Sequence, residues 1–173
     1  YEFSRRAYAE GLVVLDDPWS ILRCSNKIFQ TERMIQNRVL IPQTIILTKD
    51  NIKKQLIEKL NFPMVLKQPD SSFSIGVVKV DNADALIESA NTLFKKSELI
   101  IAQEFLYSEF DWRIGVLDEI PLFACKYYMA RDHWQIYNWK VSKEDESGDS
   151  VTLPVEEVPE QVIKAAVKAA SLM

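Results

Sequence analysis

One stretch limits what this chain can fold into more than any other: Pro63-Met64-Val65-Leu66-Lys67, then a polar loop, then Gly76-Val77-Val78-Lys79-Val80. Two short apolar runs flanking a polar segment read as two strands joined through it. The first run is apolar throughout until it closes on a lysine, a residue that is expensive to bury unpaired. Lys67 alone fits a side chain that snorkels to solvent. The loop after it changes that reading. Gln68-Pro69-Asp70-Ser71-Ser72-Phe73-Ser74-Ile75-Gly76 is built of small residues, an aromatic and one glycine, and such a loop can present N–H groups and hydroxyls to phosphate oxygens. It carries no GxxxxGK[ST] signature, so it is not a Walker loop. An ordinary hairpin loop is the bland alternative.

The rest of the chain supplies the other parts of a sheet. Ser4 to Glu10 reads as a helix stopped by Gly11 at its C′ position. Leu12 to Leu15 reads as a short buried strand ended by Asp16-Asp17-Pro18. The spacing of Ile21, Cys24, Ile28, Met34 and Ile35 predicts one helix from Ser20 to Asn37. Pro42 opens a β-branched strand, Gln43 to Leu47. Thr48 or Asp50 caps a helix with an apolar stripe of Ile52, Leu56, Ile57 and Leu60. Asp81 or Asn82 caps another helix reaching about Lys95, with Leu86, Ala90 and Leu93 inward. Leu99 to Glu104 is a strand. Asp111 to Leu117 and Pro121 to Met129 form a hairpin turning at Asp118-Glu119. Tyr137 to Val141 is a further strand candidate, Lys143 to Ser150 a charged mobile loop, and Pro159 to Met173 a helix. The class is α+β: a small αβ lobe over about 20–48, strands and helices over about 49–104, then an antiparallel sheet. Ligands favour clefts between such lobes.

Composition excludes several functions. The formal net charge is -4 over 173 residues, which argues against a general nucleic-acid binder. Two distant cysteines, Cys24 and Cys125, and a single histidine, His133, make no zinc set; they read as reduced thiols of a cytoplasmic protein. No apolar run reaches the ~20 residues of a membrane helix.

Other residues invite chemistry. Lys27 follows Cys24-Ser25-Asn26 on a helix with apolar neighbours and reads by itself as a solvated lysine. Gln103-Glu104-Phe105-Leu106 leaves an apolar strand; such a segment can read an adenine edge through its backbone, with Phe105 and Leu106 as walls, or simply cap the strand. In Phe110-Asp111-Trp112-Arg113-Ile114, alternation puts Asp111 and Arg113 on one face, as an ion pair or as a ribose acceptor beside a phosphate clamp. Lys126, Arg131 and Asn138 lie among aromatics, a pattern that also suits single-stranded nucleic acid.

In order and spacing these pieces resemble the ATP-grasp superfamily, and within it the RimK-like, glutathione-synthetase-like carboxylate–amine ligases. Asn26-Lys27 with Ile41-Pro42-Gln43-Thr44 is similar to that branch's "NK…iPxT" opening, and Phe62 to Lys67 to its "fPvVlK" strand. Phe73-Ser74-Ile75-Gly76-Val77 is similar to its phosphate-covering loop, Gln103-Glu104-Phe105 to "QEfi", and Asp111-Trp112-Arg113 to "DxR". The resemblance implies an ATP-grasp-like two-lobed architecture, incomplete at the C-terminus. Residues 1–19 would be the end of a preceding domain or linker, 20–104 the N-terminal lobe and 105–173 a partial C-terminal lobe. It implies that Lys27 and Lys67, with Ser72, Phe73, Ser74 and Gly76 of the loop, hold ATP phosphates. Gln103, Glu104, Phe105 and Leu106 would hold adenine and Asp111 ribose. Arg113 and Lys126 would face phosphates or an acyl phosphate, with Arg131 and Asn138 near substrate or phosphate. ATP and Mg²⁺ are the implied cofactors, with the magnesium ligands expected beyond residue 173 and none within it. Serines stand at 71, 72 and 74 where relatives often carry glycine. The implied function is the ATP-binding part of an amide-forming ligase working through an acyl phosphate; a non-catalytic nucleotide-binding module of the same fold is the alternative. The implied partners are ATP with a carboxylate and an amine, with no nucleic acid and no membrane, and a homo-oligomer is compatible.

Overall fold

Helix α1 (Glu2–Ala9) ends as its sequence requires: Gly11 takes a left-handed φ of 81°, its N–H reaches Tyr8 O at 3.0 Å, and Leu12 N reaches Ala7 O at 3.1 Å. This paired closure satisfies the last carbonyls of the helix. The computed structural model from which this is read describes residues 1–52, 61–143 and 145–173.

The stretch expected as a strand, Leu12 to Leu15, is not one. It belongs to no sheet, and Val13 and Leu15 are 99% and 82% exposed. Apolar composition there is not matched by any strand to pair with among the described residues. The single helix expected from Ser20 to Asn37 is two: α2 (Pro18–Ser25) and α3 (Lys27–Gln36). Asn26 breaks it. Its backbone is extended, and its side-chain oxygen accepts from Ile28 N at 2.9 Å and Phe29 N at 3.1 Å. An asparagine offers the backbone a local alternative to the helical ladder, so it favours caps over helix interiors. Asp17 caps α2 in the same way, and Pro18 occupies its first turn, where its missing N–H costs nothing.

The chain forms two compact units. Residues 1–71, 76–104 and 173 make the first; residues 72–75 and 105–172 make the second. The first contains a four-stranded antiparallel sheet in the order β1-β4-β2-β3, with β1 (Thr44–Leu47), β2 (Met64–Lys67), β3 (Val77–Val80) and β4 (Ile100–Glu104). The segment read as a separate small lobe thus contributes β1 to the same sheet as the rest. Helix α4 (Ala83–Leu93), capped by Asn82, connects β3 to β4. Strand alternation then sorts the residues. Leu47, Met64, Leu66, Val80, Ile100 and Ala102 join Leu86, Ala90 and Leu93 of α4 in one buried cluster. Each fully buried large apolar side chain in such a cluster is worth about 1.5–3 kcal/mol over its exposed state. The helix expected after Asp50 lies outside the described residues apart from Ile52, which is buried in this core.

The second unit holds β5 (Phe110–Leu117), β6 (Ile120–Tyr128) and β7 (Ser150–Leu153) in that order, all antiparallel. Asp118 and Glu119, at φ 50° and 62°, make the turn between β5 and β6. Two positive φ values in succession match the right-handed twist of the flanking strands. The pairing shifts after Gly115, from Gly115↔Phe123 to Val116↔Pro121, so Leu122 is bulged out. Tyr137 to Val141, expected as a strand, makes one bridge, Tyr137 to Ser147. Val141 N turns back to Asn138 O at 3.4 Å instead. The third strand is β7, at the end of the stretch read as a mobile charged loop; only Val151 and Leu153 alternate there, too short a signal to stand out from its setting. A 3-10 turn (Val155–Glu157) leads to α5 (Glu160–Ser171), which packs on β5 and β6 through half-buried Val162, Ile163, Ala166 and Val167. Among the described residues no helix is long and apolar enough to cross a membrane.

Candidate functional site

On the first sheet, the face opposite the core carries Thr44, Lys67 and Gln103, brought side by side by the register Thr44↔Gln103, Val65↔Gln103 and Lys67↔Ile101. Lys67 Nζ donates to Gln103 Oε1 at 2.6 Å, Gln103 Nε2 donates to Thr44 Oγ1 at 2.8 Å, and Thr44 Oγ1 donates to Pro42 O at 2.7 Å. An ammonium can only donate, so it fixes which end of the Gln103 amide faces it, and the order of donors follows down to Pro42. Lys67 therefore sits half-buried with its head aimed by a polar relay rather than swinging freely into solvent. Thr44 had no role assigned to it in the sequence beyond a place in the "iPxT" opening. Its pairing with Gln103 across two strands is a long-range contact that no local pattern announces.

Gln103 and Glu104 are neighbours that point to opposite faces. Glu104 Oε1 accepts from Gln43 N at 2.8 Å, and Glu104 N donates to Gln43 O at 2.9 Å. This carboxylate clips the entry of β1 to β4.

The loop after Lys67 is seated on the start of α3. Lys27 N donates to Pro69 O at 2.9 Å, Asn26 Nδ2 donates to Asp70 Oδ1 at 2.9 Å, and Lys27 Nζ donates to Ser71 O, with Ser71 Oγ at 3.4 Å. Burial pushes the Lys27 ammonium below its ordinary pKa, and the Asp70 carboxylate partly offsets this. Ser71 Oγ in turn donates to Gln68 O at 2.9 Å, and Gln68 N closes the loop's neck on Gly76 O at 3.1 Å. Gly76 has a φ of 69°, and a Cβ there would lie 2.4 Å from Gln68 Oε1. So the loop's one glycine stands where left-handed backbone and a close neighbour both exclude a side chain.

The loop's tip, residues 72–75, belongs to the second unit. Ile75 N donates to Ser72 O at 3.0 Å across Phe73 and Ser74, whose φ values are 51° and 61°. Neither is glycine, and a side chain in left-handed backbone is held there at a cost. The Trp139 indole N–H donates to Phe73 O at 2.9 Å, and Trp139 itself stacks on Tyr137 at 5.3 Å. Ser72 is exposed and Ser74 half-buried.

In the second unit, Asp111 and Arg113 share one face of β5, as alternation requires, and both are exposed. The Arg113 guanidinium lies 5.4 Å from the Tyr127 ring. Lys126 pairs with Trp112, which places it on the other face, and its Nζ lies 4.6 Å from the Phe110 ring and 5.1 Å from that of Trp112. Of the two cations, a ligand lying on the Asp111 face meets Arg113. Phe105 packs edge-on against Trp134 at 5.8 Å, while Leu106 is 60% exposed. Arg131 is exposed beside a turn at Asp132, and Asn138 Oδ1 accepts from Lys140 N at 3.3 Å. Among the described residues no group of three or more His, Cys, Asp or Glu side chains could hold a metal ion, and no step below runs through one.

Comparison with known proteins adds to this geometry. The family model described as the D-ala D-ala ligase C-terminus matches residues 34–173. The alpha-aminoadipate–LysW ligase LysX of Saccharolobus solfataricus is 29% identical over 131 residues, covering 72% of this chain and 47% of that protein. The D-alanine–D-alanine ligase of Bacillus anthracis solved in complex with ATP superposes with a TM-score of 0.65 at 20% identity, over 98% of this chain and 54% of that one. The ATP-grasp ligase PsnB, solved with a minimal precursor, gives a TM-score of 0.67 at 16% identity, over 98% and 50%. The chain thus spans about half the length of the relatives it matches.

Proposed function

The chain belongs to the family of the D-ala D-ala ligase C-terminus and has the ATP-grasp fold, and from that premise we propose that it is the nucleotide-holding part of an ATP-dependent carboxylate–amine ligase of the RimK-like kind. The observation that carries the reading is the aimed ammonium of Lys67, fixed by Gln103 and Thr44 at the neck of a loop that Lys27 and Asn26 seat on α3. A preorganised cation beside backbone N–H groups stabilises phosphate charge without rearranging during the reaction. Lys27 acts in the proposal mainly by holding the loop, since its ammonium is engaged with Ser71. Asp111 accepts from ribose and Arg113 takes phosphate oxygens, a pairing suited to its planar fork. Leu106 and Phe105 offer apolar surface to the base.

The proposed chemistry balances as follows. A substrate carboxylate oxygen attacks the γ-phosphorus of ATP, and ADP leaves. An amine nitrogen then attacks the acyl carbon of that acyl phosphate, inorganic phosphate leaves, the amide bond forms and the amine loses a proton. The protein's part is positioning and charge stabilisation, as is general for phosphoryl transfer. LysX and D-alanine–D-alanine ligase, by name, join amino-acid units, which supports an amino-acid or peptide carboxylate here.

Calorimetric titration of the chain with ATP, with and without magnesium, tests the binding half. Lys67→Ala should weaken ATP by roughly 10-fold or more, the scale of one lost charge-assisted hydrogen bond. Equal affinity in the variant would remove Lys67 from the site. Trapping an acyl phosphate with hydroxylamine tests the chemical half; ATP binding without any hydroxamate would leave a regulatory module instead.

A further inference from the structure

The β5–β6 hairpin carries a feature that the nucleotide reading does not use. β6 runs past its last pair with β7, Ala124↔Leu153, so among the described residues no strand pairs with its outer edge along Pro121, Leu122 and Phe123. The chain after β7 leaves the ladder at Pro154, and the 3-10 turn that starts at Val155 packs back against β6. Between them lies a groove of about 610 Å³, lined chiefly by Pro121, Leu122, Phe123, Leu153, Pro154 and Val155. Leu122 and Phe123 are 56% and 50% exposed, and the bulge at Leu122 turns an extra apolar side chain out of the ladder. Pro121 offers no N–H and the bulge interrupts the ladder, so what this edge presents to a ligand is chiefly its apolar surface.

The rim of this groove is acidic. Asp118 and Glu119 form the turn before Ile120, and Glu156, itself part of the lining, and Glu157 sit in the 3-10 turn. All four are exposed, and among the described residues none of them is in an ion pair. No lysine or arginine lines the groove. A second copy of this chain would bring the same four carboxylates against themselves, which costs affinity through like-charge repulsion. The complementary occupant is apolar on one side and basic on the other, in extended form.

We propose that this groove docks an extended peptide segment with alternating apolar and basic residues, which lays its apolar side chains along Pro121–Phe123 and sets its cations against Asp118, Glu119, Glu156 and Glu157. The proposal does not depend on the nucleotide reading, and its test does not involve ATP. Alternation is required because a strand sends successive side chains to opposite faces.

The test is fluorescence anisotropy of a labelled peptide of alternating lysine and valine, titrated with the chain at low salt. Saturable binding is expected. The double substitution Glu156→Lys and Glu157→Lys should weaken it by roughly 10-fold, the yield of a few exposed charge pairs lost and reversed. Leu122→Ser, a neutral change at the exposed bulge, should weaken it by a similar factor. The matched control is Asp84→Lys with Glu88→Lys on α4, which changes net charge equally but lies in the first unit. If that control weakens binding as much, the attraction is diffuse and the proposal fails. It fails equally if no saturable binding occurs, if Leu122→Ser binds unchanged, or if an alternating glutamate–valine peptide binds as well. Sedimentation showing self-association that Leu122→Ser abolishes would assign the groove to a second copy and overturn it too.

Discussion

The two sheets are made of similar strands but spend them differently. The first turns one complete face into core: Met64, Leu66, Ile100 and Leu86 are all fully buried. The second buries only Ala124 completely among its strand residues, with Ala130, Ile136 and Val158 nearby, and leaves Leu117, Ile120, Leu122 and Phe123 at least half exposed. Yet polar chemistry rests on both. Where a sheet has a dense core behind it, as under Lys67 and Gln103, its other face can hold a side chain in one pose through a hydrogen-bonded relay. Where it has little, as around Asp111 and Arg113, the candidate site side chains stand exposed, Arg113 over the Tyr127 ring.

Mutations can break that contrast or sharpen it. The largest expected effect is at the first core: Leu66→Ala should cost about 2–5 kcal/mol in urea denaturation, because the removed atoms leave a cavity under a packed sheet. Leu122→Ser in the second unit should move stability by no more than about 0.5 kcal/mol, as is usual for surface positions. Comparable losses for the two would erase the distinction. Next is the relay. Gln103→Ala should lower stability by about 1–3 kcal/mol by leaving Lys67 without that acceptor, and should weaken ATP at the same time; a stability loss without any change in ATP affinity would make the relay purely structural.

Arg113→Ala and Lys126→Ala test the two faces of the second sheet. The first should weaken ATP several-fold, whereas the second should leave affinity nearly unchanged and lose about 0.5–1 kcal/mol of stability from its ring contacts. The reverse result would put the nucleotide on the Lys126 face. A smaller effect follows from Lys27. Burial lowers its pKa below the ordinary 10.5, so on raising the pH the folded chain releases that proton before the unfolded chain does. Between the lowered value and 10.5 the unfolded state holds more protons, and stability at this position rises with pH. Replacing Lys27 by Met should remove that rise, read as a flatter stability curve in the alkaline range. The smallest expected gain is at the turn. Asp118→Asn with Glu119→Gly suits the two positive φ values and should add about 0.4–1 kcal/mol.

Much of this was legible in the chain itself. Strands β2, β3, β4, β5 and β6 and helices α4 and α5 follow from apolar runs and periodicity, and Gly11 and Asn82 mark their helix ends as expected. What misled was competition that periodicity does not weigh. Asn26 has the apolar spacing of a helix on both sides, but its side chain captures two N–H groups and starts a new helix. Leu12 to Leu15 has the composition of a strand and, among the described residues, no strand to pair with. At the candidate site, Lys67, the loop and the shared face of Asp111 and Arg113 were visible locally. The Lys67–Gln103–Thr44 relay, the capture of Lys27 by Ser71 and the opposite facing of Lys126 depend on register between distant strands and segments.

The hydrogen bond from Trp139 to the backbone of Phe73 joins positions far apart in the sequence, and it bears on how this chain can be cut. Phe73 is encoded before the boundary at Glu104 and Trp139 after it, yet residues 72–75 and 105–172 form one unit. A gene fragment starting at Phe105 would therefore express its unit without four of its own residues, and leave the Trp139 indole without its acceptor. A dissection that respects the structure has to carry Ser72 to Ile75 along, either as a peptide added in trans or through a rearranged gene order that brings the turn into the same reading frame segment.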